Sequence, residues 1–134
     1  MTSLPRWMSG TALLALAATV LLAVGSPAAA STATNVKSTV TITSGEGTLF
    51  TGKVTAGKQK CRAGRTVKLY REPGPSARAG DTLVGSAMTN ANGAWSMAGA
   101  YEAGVYYAWL TALTVHVNGV PFRCGADWSI PTHY

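Results

Sequence analysis

Seven cationic side chains, Lys53, Lys58, Lys60, Arg62, Arg65, Lys68 and Arg71, fall between positions 53 and 71 with no acidic residue among them. Charge of one sign at that density attracts anionic polymers, with a reach of about 8 Å at physiological ionic strength. The chemistry it suggests is recognition of a phosphate- or uronate-rich wall polymer, or of an acidic protein. The plain alternative is a solvated face that keeps an edge strand from pairing. The aromatic residues Tyr101, Tyr106, Tyr107, Trp109 and Trp128 offer a second kind of chemistry, because flat rings stack on sugar faces. Tyr101 and Tyr106 are the pair expected to be exposed as a platform. Trp109 and Trp128 are expected to pack in the core.

Acid–base and metal chemistry find little to work with. A hydrolase needs a nucleophile, a base and an orienting group held in reach of one another. The histidines are His116 and His133, the carboxylates are Glu46, Glu72, Asp81, Glu102 and Asp127, and no Gly-x-Ser-x-Gly occurs. No catalytic residue is assigned, with a surface role expected for His116 and a frayed terminal one for His133. Cys61 and Cys124 form no CxxC, and neither histidine stands at ligand spacing from them, so no metal or cofactor is expected. Tyr70 interleaves with the cations, but no RNP-type, OB-type or zinc motif accompanies it, and nucleic acid is not an expected partner.

The N-terminus shows why the cysteines are expected to pair. Residues 1–10 carry one charge, Arg6; residues 11–24 are an apolar run; residues 25–31 are small, with Ala28 and Ala30 fitting an A-x-A cleavage rule. These are the three parts of a secretory signal, and the run falls short of the ~20 residues of a membrane-spanning helix. Cleavage after Ala30 is expected to release a secreted domain with no membrane span and a net positive charge. In an exported chain two cysteines imply one bridge, Cys61–Cys124, which raises stability by about 4 kcal/mol in the chain-entropy model.

The elements that must position these residues read as strands throughout. Residues 36–43 alternate, with Val36, Val40 and Ile42 on one face; residues 44–47 turn. Residues 48–55 place Phe50 and Val54 inward and Lys53 outward, and residues 66–71 put Val67 and Leu69 together. Residues 72–80, with two prolines and two glycines, form a loop. Residues 82–89 and 93–98 flank an Asn-Ala-Asn-Gly turn, with Trp95 and Met97 sharing a face.

Residues 105–117 and 120–130 form a hairpin about Asn118-Gly119, which pairs Val117 with Val120, Val115 with Phe122, Leu113 with Cys124 and Trp109 with Trp128. One face then carries Tyr107, Trp109, Leu113, Val115, Val117, Val120, Phe122, Cys124, Trp128 and Ile130 and is expected to be the core side. Because Tyr106, Ala108, Leu110 and Ala112 are also apolar, a bulge near residues 111–114 would flip the first half.

The segments 50–54, 61–71 (Cys-Arg-Ala-Gly-Arg-Thr-Val-Lys-Leu-Tyr-Arg), 83–86, 89–95 and 104–108 together resemble the transthyretin-like (prealbumin-type) sandwich modules, which include carboxypeptidase-regulatory-like domains. The resemblance extends from about residue 48 to residue 130, and short forms of this kind look like secreted proteins of high-GC Gram-positive bacteria. Its motifs belong to strands and turns. One enzymatic branch hydrolyses 5-hydroxyisourate with a C-terminal Tyr-Arg-Gly-Ser; this chain ends Ile130-Pro-Thr-His-Tyr134, and no catalytic residue carries over.

The expectation is an all-β, about seven-stranded antiparallel two-sheet sandwich, transthyretin-like or Ig-like, with one disulfide. Residues 1–30 are the signal peptide, 31–47 a lead-in and first strand, and 48–134 the sandwich domain. The expected function is a secreted, non-enzymatic module that binds an extracellular surface, an anionic polymer or a protein partner. A carbohydrate-binding module and a small secreted hydrolase are the alternatives.

Overall fold

The structure is a computed structural model that describes Gly25 and residues 32–73 and 80–134. The expected signal segment, apart from Gly25, and residues 74–79 of the expected loop lie outside the described residues. The described chain is all-β: β1 (Thr34–Val36), β2 (Ser38–Glu46), β3 (Leu49–Ala56), a 3-10 turn (Gln59–Cys61), β4 (Thr66–Glu72), β5 (Thr82–Met88), β6 (Ala94–Ala98), β7 (Val105–Leu110), β8 (Leu113–Val117), β9 (Val120–Cys124), β10 (Asp127–Trp128) and β11 (Thr132–His133).

Two sheets face each other. One has the order β2-β3-β6; the other has the order β10-β7-β4-β5, with β11 also pairing β7. The inner face of the first sheet contributes Val40, Phe50, Val54, Trp95 and Met97, and that of the second contributes Val67, Leu69, Tyr106, Ala108 and Leu110. Period-2 alternation explains each choice, since Lys53 and Lys68 sit between inward neighbours and project outward. Gly52 has a packing reason. A Cβ there would lie 2.2 Å from the Trp95 ring and 2.1 Å from the Thr41 carbonyl, so only glycine lets the indole cross β3.

The strand count exceeds seven because long strands are interrupted. Val36 does not share a face with Val40: the chain breaks at Lys37, and β1 pairs in parallel with β9 in a third sheet, order β1-β9-β8. β2 runs on to Glu46, through most of the turn expected at residues 44–47, with a bulge between Ile42 and Ser44, and the chain turns at residues 47–48. The C-terminus is not frayed, since His133 pairs with Val105.

The hairpin register is as the Asn118-Gly119 turn dictates, with φ of 51° and 77° at the two turn residues. Leu113 faces Cys124, Val115 faces Phe122, Val117 faces Val120 and Trp109 faces Trp128. The break falls at residues 111–112 and 125–126, with equal loss on both strands, so pairing never slips while the hairpin passes from one sheet to another.

In β7, however, the core face is the other one, the flip of the first half expected from a break near residues 111–114, whereas in β8 and β9 the expected face is the less exposed. Tyr106, Ala108 and Leu110 are buried in the sandwich, and of the ten residues on the expected face only Tyr107 and Cys124 are buried. Ile130 is 83% exposed and Trp128 37%. Both faces of β7 are apolar, and alternation alone cannot choose between them.

The physical hinge of this break is Arg65, which is 1% exposed. Its Nη1 donates to Ser38 Oγ (3.0 Å) and the Cys61 carbonyl (2.6 Å), and its Nη2 donates to the carbonyls of Thr111 (2.8 Å) and Gly125 (2.9 Å). Thr111 and Gly125 are the residues at which the hairpin leaves its ladder, so the guanidinium collects carbonyls the interruption frees. Burial holds this guanidinium below its ordinary range. Beside it Cys61 and Cys124 are disulfide-bonded, with Cα atoms 5.3 Å apart.

Candidate functional site

The seven cations do not form one patch. β3 and β4 lie in different sheets, so Lys53 and Lys68 project from opposite sides of the sandwich. Lys58 sits over the Phe122 ring at 4.9 Å, a cation–π contact, and Lys60 Nζ donates to the His116 carbonyl at 2.8 Å. Both thereby tie the 3-10 turn to the β8–β9 hairpin. Arg62 is half-buried, its carbonyl accepting the Thr89 hydroxyl at 2.6 Å. Arg65 is interior. Arg71 bridges Glu102 at 2.6 Å and also donates to the Ala103 carbonyl at 3.1 Å. The run is dense in sequence because four of its members are used in assembling the fold.

The expected aromatic pair also separates. Tyr106 is a core residue, 1% exposed, whose hydroxyl donates to the Glu102 carbonyl. Tyr101 is half-buried and packs edge-on against Phe50 at 4.8 Å; Tyr134 does the same at 5.2 Å. Burial pushes the Tyr101 phenol up, with a further push from Tyr106.

A different aromatic surface stands on the outer face of the β10-β7-β4-β5 sheet. Register aligns Ser86, Lys68, Trp109 and Trp128 in one row across four strands, and Leu83, Tyr70 and Tyr107 in the next. Trp109 and Trp128 have ring centroids 3.8 Å apart. Tyr70 stacks on Tyr107 at 5.4 Å with planes 12° apart, and Trp128 lies 5.3 Å from Tyr107.

Tyr107 is the buried centre of this cluster, its hydroxyl donating to Asp81 Oδ2 at 2.5 Å. Around it Tyr70 and Trp109 are half-exposed, and Leu83, which pairs Tyr70, is exposed at 51%. A contiguous ring-and-aliphatic patch of this kind, with one lysine in its row, is unlike the mixed polar surface that folding alone requires. The signal for it was present: Tyr70 shares the parity of Lys68, opposite to Val67 and Leu69, so it had to face out, and its partner Tyr107 with it.

Asp127 Oδ2 accepts the Val40 N–H at 2.9 Å, and His116 and His133 are both exposed. Among the described residues no group of three or more His, Cys, Asp or Glu is arranged to hold a metal ion. No protein-family model matches the chain, and no curated protein compared with it does so.

Proposed function

We propose that this protein is an exported, non-enzymatic binding module whose outer sheet face holds a glycan of an extracellular surface. The observation that carries the reading is the in-register row of Lys68, Trp109 and Trp128 beside Tyr70 on the outer face of the β10-β7-β4-β5 sheet. Flat rings offer apolar area to the C–H faces of sugars, and the Lys68 ammonium in the same row can donate hydrogen bonds to their hydroxyls. The signal-like N-terminus and the disulfide support export. The transthyretin-like resemblance belongs to the same proposal and brings no catalytic residue with it.

The test is retention on insoluble bacterial cell-wall polysaccharide, with Trp fluorescence to follow soluble fragments. Trp109→Ala and Trp128→Ala are each expected to weaken binding about tenfold, equivalent to about 1.4 kcal/mol of lost stacking, while the thermal midpoint moves by a few degrees at most. Retention unchanged in both variants would refute the reading.

A further inference from the structure

A groove of about 490 Å³ runs along the free side of β2, between that strand and the segment from β10 to β11. That volume lies within the range of small-ligand clefts, about 300–1,000 Å³. Its lining combines Lys37, Thr39, Thr41, Asp127, Trp128 and Thr132. Val40, Ile42 and Ile130 line it too, so hydroxyls and charges stand beside apolar area, a mixture that suits the hydroxyls and C–H face of a sugar ring.

An open strand edge would ordinarily invite an extended peptide as a further strand. Here the Val40 N–H, the group such a strand would need, already donates to Asp127 Oδ2. Antiparallel alternation turns the backbone of Ile42 to the same side as that of Val40, and the bulge between Ile42 and Ser44 then breaks the edge's regularity. The edge therefore offers isolated polar groups in place of a continuous ladder, which suits a sugar better than a peptide.

Trp128 makes the groove continuous with the outer face. It stands in the Lys68–Trp109–Trp128 row and also lines the groove. A glycan crossing the sheet along that row passes Trp128 and meets Lys37. We propose that this groove is a second subsite for the same glycan and that it takes a sugar residue bearing a carboxylate, read by Lys37. Asp127 in the same groove limits the charge it tolerates, which favours a monoanionic carboxylate over a doubly charged phosphate monoester. The inference rests on the glycan reading given above and adds to it the class of sugar.

The experiment compares trigalacturonate with neutral chitotriose by Trp fluorescence titration at low ionic strength, on the unaltered protein and on Lys37→Gln and Lys68→Gln. The unaltered protein is expected to prefer trigalacturonate about fivefold, the size of effect that one exposed ion pair provides. Lys37→Gln should abolish that preference and leave chitotriose binding as it was; Lys37 is exposed, and the thermal midpoint should not move. A preference that survives Lys37→Gln, or that vanishes in Lys68→Gln instead, would overturn the subsite assignment. Equal binding of the two sugars by the unaltered protein would overturn it too, with the glycan reading intact. Failure to bind either sugar would overturn both.

Discussion

Tyr106 and Tyr107 are neighbours on β7, equally buried at 1% and 2%, each with its hydroxyl donating to an acceptor, and they serve opposite faces of one sheet. Tyr106 is covered by the other sheet, with Phe50 at 4.7 Å, so it can be uncovered only by opening the sandwich. Tyr107 lies on the outer face, where Tyr70 and Trp128, rings of its own sheet, pack against it. The pair shows that burial alone does not separate a core residue from the anchor of a surface cluster; what does the covering decides. It also places the site's rigidity, because Tyr107 and its bond to Asp81 hold the outer rings on a fixed base.

The largest effect is expected where the two faces differ most. Tyr106→Ala should destabilise the fold by about 3–5 kcal/mol, as large-to-small changes of buried aromatics do, whereas Trp109→Ala should cost under about 1 kcal/mol. Urea unfolding of both variants measures this; equal losses would mean that the outer cluster is a second core.

Next in size is the bridge. Replacing Cys61 and Cys124 with serine should lower stability by about 2–4 kcal/mol. Near-UV circular dichroism of both ring clusters should persist below the new midpoint, because the disulfide pins the β8–β9 end while all the clustered rings except Phe50, Tyr101 and Tyr134 belong to the β10-β7-β4 strands. Loss of the aromatic signal in the folded double variant would show that this end organises the faces as well.

The smallest effect is an alkaline one, confined to the inner cluster. The Tyr101 phenol is raised by burial, so the unfolded chain gives up that proton first, near pH 10, and folded-state stability present below that pH declines as pH rises towards the raised folded value. Tyr101→Phe should flatten the decline seen above about pH 10 in thermal melts; an unchanged slope would assign it to other groups.

Much of this architecture is legible in the residue string, and the failures share one cause. Asn118-Gly119 fixes the hairpin register down to Trp109 opposite Trp128, and two cysteines in one chain leave a single pairing. Register, however, specifies partners and not which face meets the other sheet. Where both faces are apolar, as in β7, the choice depends on long-range packing that no local pattern contains. Arg65 is hidden for a related reason. A lone arginine in a basic run looks solvated, and the carbonyls of Thr111 and Gly125 that take it inside lie 46 and 60 residues away in the chain.

The bridge that joins Cys61 to Cys124 has a consequence for what a protease can do to the molecule. Every connection from β4 through β9 lies between the two cysteines, including the loop at 72–80 with its Arg78 and the Glu102 turn before β7. A cut at either place opens the backbone without releasing a fragment, since the halves stay covalently joined beside Arg65. Exposed loops are where such nicks concentrate. A molecule clipped there keeps β4, β5 and β7 tethered in one particle, and its aromatic face can outlast the continuity of its chain.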